Sequence, residues 1–222
     1  MILLAVDSSD KNGSIALARC GPAAVCDVLE VVQLAGGTFS AQLVPQIAAL
    51  LGNHRHGKED IGAFAVVSGP GSFTGLRIGL AAVKALAEVL EKPIAAVSLL
   101  EAIATVGGFQ GRVLSALDAG RNEVYVGEYE IGVVARRIDE RLVTQAELIT
   151  IANGLTMITP DKKLADLAQT AGLSVEEIPR PGSDAVASIG WKKILSGEIV
   201  SPEMLDANYI RRMDGEILVK AH

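Results

Sequence analysis

The segment Gly69-Pro70-Gly71-Ser72-Phe73-Thr74-Gly75 is the part of this chain best equipped for chemistry. Three glycines between an apolar run and a helical pattern can bring backbone N–H groups to an anion at a helix N-terminus. A Walker loop needs Lys followed by Ser or Thr, and a dinucleotide loop needs the G-x-G-x-x-G spacing; the segment meets neither. The remaining structural use is a tight turn with Ser72 or Thr74 as the helix N-cap. Asp7-Ser8-Ser9 offers a carboxylate and two hydroxyls, but lacks the glycine that would close such a loop on phosphate. Asp118-Ala119-Gly120-Arg121 has that glycine, and Asn153-Gly154 is the nearest approach to a glycine pair for seating an adenosine. His54 and His56 lie two apart in a polar stretch and His222 ends the sequence, so neither H-E-x-x-H nor a helical histidine pair occurs and no metal site is expected. No G-x-S-x-G elbow is present. Cys20 and Cys26, lacking C-x-x-C spacing, read as two ordinary thiols.

These residues must be positioned by regular elements. Residues 2–6 and 14–20 are β-type runs separated by a segment containing Asn12-Gly13, a hairpin signal, and 25–34 continues as a third strand before Gly36-Gly37 breaks the pattern. Leu43, Val44, Ile47, Leu50 and Leu51 fall at helical spacing over 40–51, where Pro45 is tolerable only near the first turn. The run 63–67 is continuous and apolar, as in a strand covered on both faces. It leads through the glycine loop into a helix ending near Pro93. A strand at 94–97 and a helix opened by Ser98 with Glu101 complete the first half. The second half repeats the order: strands 113–117, 124–131 and 133–143, helix 145–152, strand 155–159, helix 162–171, strand 173–178 and helix 183–195. Two βββαβαβα units describe an α/β chain of the actin-like (ASKHA, duplicated RNase H-like) two-lobed architecture. The expected lobes are 1–106 and 107–222, divided at Gly107-Gly108, with the tail from Ser201 packing back on the body or a partner. That fold permits a stand-alone ATPase or phosphotransferase, with ATP between the lobes.

Composition narrows the choices. The 222 residues are 50% hydrophobic and 21% charged, with 20 Lys and Arg against 26 Asp and Glu, a net charge of −6. A self-sufficient nucleic-acid clamp needs clustered cations, and this balance argues against one, though nucleic acid could be reached through a basic partner. Mean hydropathy is +0.37, yet the apolar runs fall short of the about 18 residues of a membrane span. Asp7 also interrupts the opening apolar run too early for a secretory leader. The expectation is a cytoplasmic protein whose apolar surplus fills cores and interfaces.

The segments 2–9, 40–45, 69–79, 117–126 and 208–211 together resemble the bacterial TsaB family, also called YeaZ. The resemblance runs over nearly the whole chain and is most specific from Gly69 to Gly79. It implies a non-catalytic subunit that pairs with TsaD, in a complex that adds a threonylcarbamoyl group to N6 of adenosine 37 of tRNAs reading codons that begin with A. In that family TsaD holds the metal and performs the transfer, TsaE supplies an ATPase, and TsaB-like chains dimerise when TsaD is absent. No cofactor is implied for this chain, and tRNA is reached only through the complex. Ser40 stands where many members have His, and Ser68 where Gly or Arg is frequent. A metallopeptidase, another activity ascribed to this superfamily, lacks its histidine pair here.

The pairing surface is expected on the helices over 40–51 and 74–90. The longer helix has a stripe of Leu76, Leu80, Val83, Ala87 and Leu90, extended by Ile78, Ala81, Ala82, Ala85, Leu86 and Val89. A helix apolar on most sides must be covered on most sides, whether by a partner or within its own lobe. Gly75 and Gly79, one turn apart, are expected to admit a partner helix. The partner-facing residues are thus expected to be Leu43, Ile47, Ser72, Phe73, Gly75, Leu76, Arg77, Gly79, Leu80, Ala82 and Val83.

Overall fold

A computed structural model describes residues 1–35 and 38–210. The break expected at Gly36-Gly37, the tail residues Arg211 and Arg212, and His222 lie outside them. The chain forms two compact units, Met1–Ala102 with Pro181–Asn208, and Ile103–Arg180 together with residues 209–210.

In the first unit β1 (Ile2–Asp7), β2 (Asn12–Cys20), β3 (Cys26–Ala35), β4 (Ile61–Gly69) and β5 (Ile94–Ser98) form one sheet in the order β3-β2-β1-β4-β5. The pairs β1–β2 and β2–β3 are antiparallel, whereas β1–β4 and β4–β5 are parallel. Every residue of β1 is buried, which requires cover on both faces. Helices α1 (Phe39–Asn53) and α2 (Phe73–Leu90) provide one cover: α2 packs on β4 and β1, and α1 packs on β3 and β2 beside α2. Pro45 falls in the second turn of α1, on its exposed side. The N–H it lacks would have met the carbonyl of Ala41, itself exposed, so the missing bond is left to water.

The opposite face is covered by the last helix, α6 (Ser183–Ser196), which packs on β1, β2, β4 and β5. The sequence reading placed this helix in a C-terminal lobe running from 107 to 222, but it lies on the first sheet instead. Its small residues explain the fit, because a Cβ at Gly190 would collide with the Cβ of Ala65 on β4. Trp191 donates its indole N–H to the Gly21 carbonyl at 2.8 Å, and the Ser183 amide donates to Ser14 Oγ at 3.0 Å. The first unit therefore also takes the segment after α6. Val200 bridges Ile94, Leu205 and Ala207 are buried, and the Asn208 amide donates to the Ser68 carbonyl at 2.7 Å.

In the second unit β6 (Gly111–Gly120), β7 (Glu123–Ile131), β8 (Ala135–Thr144), β9 (Thr156–Thr159) and β10 (Val175–Glu177) take the order β10-β9-β6-β7-β8. This repeats the first sheet position for position, so the duplication read from the order of elements is present in the topology. Helices α4 (Gln145–Ile151) and α5 (Lys162–Thr170) close a core containing Leu114, Val126, Leu148, Met157 and Leu164. Helix α3 (Leu99–Val106) runs across the division between the units.

The cysteines depart from expectation. The β2–β3 register sets Cys20 directly opposite Cys26, and the two are joined as a disulfide. Opposed positions at the end of a hairpin are close enough to bond whether or not a C-x-x-C spacing exists.

Substituting Gly190 by Val is expected to lower the stability of the protein by about 2 kcal/mol or more, as overpacking does where the neighbour is a short, inflexible side chain. Urea titration of both proteins checks this: an unchanged midpoint would mean that α6 does not lie on the first sheet.

Candidate functional site

The loop after β1 is occupied in holding α2. The Asp7 carboxylate accepts from the Ser9 amide at 2.9 Å and from Ser9 Oγ at 2.6 Å. Ser8 Oγ donates to the Gly75 carbonyl at 2.8 Å, and the Ser72 amide donates to the Ser9 carbonyl at 2.7 Å. All three side chains of Asp7-Ser8-Ser9 are buried. The glycines of the 69–79 segment meet this loop from the other side. A Cβ at Gly71 would strike the Ser9 carbonyl, one at Gly75 the Ser8 carbonyl, and one at Gly79 the Ser8 hydroxyl. Gly69 adopts φ 137° beside the Asn208 carbonyl, a conformation that favours glycine. Ser72 is the N-cap, accepting from the Gly75 amide at 3.3 Å. The most distinctive segment of the sequence thus seats the N-terminus of α2 against the β1–β2 loop.

The corresponding turn of the second unit is also closed on itself. Asp118 accepts from the Gly120 amide at 2.9 Å and donates its own amide to Asp161 at 2.7 Å. Arg121 and Asn122 follow at φ 54° and 62°, the positive pair of a two-residue hairpin turn. Gly154, at φ 81°, turns the chain after α4. The histidines go to separate partners: His54 Nε2 lies 2.9 Å from Glu30, and His56 Nδ1 lies 3.3 Å from Asp60. The Gly57 amide, and then His56, hold the exposed Asp60 carboxyl below its usual range. Among the described residues, no group of three His, Cys, Asp or Glu side chains is placed to hold a metal ion.

The two helices on the outer face of the first unit carry the remaining candidates, and burial divides them. Leu43, Ile47, Leu76, Leu80 and Val83 are core residues, and Gly75 and Gly79 are buried against Ser8. These seven were expected to face a partner. They point inward because the stripe they form is the one that the sheet covers, and the glycine pair admits a loop of its own unit where a partner helix was expected. Ser72, Phe73 and Arg77 are exposed and Ala82 is half-buried. Arg77 stacks over the Phe73 ring, 3.7 Å from its centre.

A second apolar surface lies outside the first. On α1 it comprises the exposed Ala41, Val44, Pro45 and Ala48, at spacings of three and four. On the adjacent α2 it comprises Ile78, Ala81, Ala82, Ala85 and Val89, again at helical spacing, with Val44 57% and Val89 75% exposed. Lys84 and Glu88 edge it. An apolar face with a polar edge is how a docking surface is composed. Ala41, Val44, Pro45, Ala48, Ile78, Ala81, Ala85 and Val89 were absent from the expected partner set, although the second helical stripe was visible as an excess of apolar residues around α2. At one end of this face an open recess of about 770 Å³ separates Lys11 and Asn12 from Phe39, Ser40 and Thr74.

Residues 32–201 match the family model described as TsaD: tRNA N6-adenosine threonylcarbamoyltransferase. The tRNA threonylcarbamoyladenosine biosynthesis protein TsaB of Bacillus subtilis is 33% identical over 150 residues, 66% of this chain and 64% of that protein. The Escherichia coli protein of the same name is 27% identical over 230 residues, 95% of each chain. The structure of YeaZ from Pseudomonas aeruginosa superposes with a TM-score of 0.75 at 24% identity, covering 94% of this chain and 99% of the other. With two sheets of the same strand order, the fold is actin-like, and the chain belongs to the TsaB/YeaZ family.

Proposed function

We propose that this protein is a non-catalytic subunit of the cytoplasmic machinery that places threonylcarbamoyl on N6 of adenosine 37 in tRNAs reading codons that begin with A. The observation that carries the reading is the exposed apolar face of α1 and α2, because a surface of alanines and valines can bind a partner and can hold no reacting group. Its occupant is a TsaD-type subunit of the same actin-like fold, or a second copy of this chain when that subunit is absent. Small residues let helices approach closely, so two helices from each side give a four-helix contact. TsaE joins the assembled pair. The loop that could have held phosphate in a stand-alone ATPase is engaged with α2, which favours the partner role over that alternative.

Introducing Arg at Ala85 tests the surface. An unpaired charge in a desolvated contact is costly, so association with a TsaD-type subunit should weaken at least tenfold, about 1.4 kcal/mol, while circular dichroism stays that of the parent. Sedimentation of the variant with and without the partner checks this, and undiminished association would remove the face from consideration. The equivalent change at Gly79 should unfold the protein, since that position faces Ser8.

Catalytic independence is tested with threonylcarbamoyl-adenylate and unmodified tRNA. After digestion to nucleosides, the chain alone should yield no modified adenosine and the complete set of subunits should yield it. Product from the chain alone would overturn the reading. With 26 acidic against 20 basic residues, the chain should also bind tRNA weakly at physiological salt, because phosphate contacts supply most of the affinity for nucleic acid. A mobility assay should show markedly tighter binding once a TsaD-type subunit is present.

A further inference from the structure

The disulfide between Cys20 and Cys26 has no part in the proposed pairing. We propose that these two residues are a reversible redox site, exchanging with small monothiols of the glutathione class and their disulfides, and that helix α6 reads its state.

The hairpin that carries the bond holds together without it. The β2–β3 ladder runs from Asn12 opposite Ala35 to Cys20 opposite Cys26. Beyond it the Gly21 amide donates to the Val25 carbonyl at 2.9 Å, and the Cys20 amide donates to the Met1 carbonyl at 2.9 Å. The gain from a disulfide grows with the loop that it closes, and only the five residues 21–25 separate these cysteines, so this bond adds less to the fold than one that closes a long loop. In the reducing compartment implied by the proposed tRNA-modifying role, on which this step rests, disulfides are transient and redox-sensing. A bond there that closes a short turn already held by hydrogen bonds has the character of a sensor.

Access sets the order of the exchange. Cys20 is 3% exposed and Cys26 is half-buried beside the exposed Val25. A thiolate RS⁻ therefore attacks Cys26 Sγ; the bond to Cys20 breaks, Cys20 leaves as a thiolate, and Cys26 carries the mixed disulfide. A second RS⁻ attacks the outer sulfur, RSSR forms and Cys26 leaves as a thiolate. Two electrons come from two monothiols and the protein thiolates take protons from water. RSSR drives the reverse sequence.

The reader of that state is adjacent. Trp191, the one tryptophan of the chain, donates to the carbonyl of Gly21, the residue next to Cys20. Cys26 Sγ also lies 4.0 Å from the Ala187 carbonyl on the same helix. Opening the bond leaves the ladder in place but replaces the S–S link by two thiols, one of them able to donate to the Ala187 carbonyl, so the packing of the hairpin end against α6 and the surroundings of Trp191 change with the redox state.

The test equilibrates the full chain, without oxygen, in buffers of fixed total glutathione and varied reduced-to-oxidised ratio. Acid quenching and alkylation with a maleimide polymer then count the free thiols. The expected result is one transition from no free thiols to two, with Trp191 emission changing over the same range of ratios. A Cys20→Ser/Cys26→Ser variant should fold and emit independently of the ratio. Two free thiols at every ratio, a bond that survives reduced glutathione alone, or an emission unmoved through the thiol transition would each overturn the proposal. None of these readings involves a partner subunit, so failure of the exchange and failure of the pairing are seen separately.

Discussion

Helix α2 lies so close to the loop after β1 that no side chain fits between them. Gly71, Gly75 and Gly79 meet Ser9 and Ser8 without a Cβ, and hydrogen bonds from Ser8 to Gly75 and from Ser72 to Ser9 fasten the contact. Two consequences follow from that one approach. The loop directs its hydroxyls and carbonyls at its own helix, which turns the phosphate-facing part of an actin-like lobe into a structural joint. The rotation of α2 is also set, since the glycine edge must face Ser8 and the leucine stripe must face β4 and β1, leaving Ala81, Ala85 and Val89 outside.

The opposite face of the same sheet depends on another close approach. Gly190 lies against Ala65, and that fit returns the chain to the first unit after Arg180. Helix α6 is what allows residues 2–6 of β1 to be apolar without a break, because a strand with a bare face would alternate polar and apolar residues. Each cover of the sheet is thus seated by glycine. A helix that packs on a sheet through small residues comes nearer, and nearness is what gives many weak dispersion contacts their combined value.

Much of this architecture was legible in the residues. The polar stretch between residues 7 and 14 marked the first hairpin, although Asn12-Gly13 opens β2 and is not its turn; the continuous run around Ala63–Val67 marked a strand covered on both sides, and the order of elements showed the duplication before any residue repeat could. The orientation of α2 was not legible, for a physical reason. A helix apolar on nearly every side has no polar face to point it, so the stripe with the largest side chains was expected at a partner when the sheet takes it. Gly75 and Gly79 signalled a close neighbour correctly, but glycine spacing does not say whether that neighbour is another helix or a loop of the same unit. The home of α6 was hidden because its contacts with β1 and β4 join residues far apart in sequence. The disulfide was closer to view, since strands at 14–20 and 25–34 already set Cys20 and Cys26 at the two ends of one short connection.

The size of the outer residues bears on what can bind there. A surface for a varied set of ligands uses long flexible side chains such as methionine, which adapt. The face of α1 and α2 has instead Ala41, Ala48, Ala81, Ala82 and Ala85, with Val44, Pro45, Val89 and the half-buried Ile78 as its larger members. Alanine and valine lose little side-chain entropy on burial and offer little adaptability, so such a face suits one rigid partner whose shape matches it. Phe73, held under Arg77 at the N-terminal end of α2, is the one large exposed ring on these helices, and aromatic and arginine side chains are the usual anchors of an interface. On the proposed pairing, a rigid alanine floor with one aromatic–arginine anchor at its end would select for helices of fixed spacing. A second lobe of the same architecture presents two such helices side by side, which is why the partner of an actin-like chain with this face is best sought among chains of its own fold.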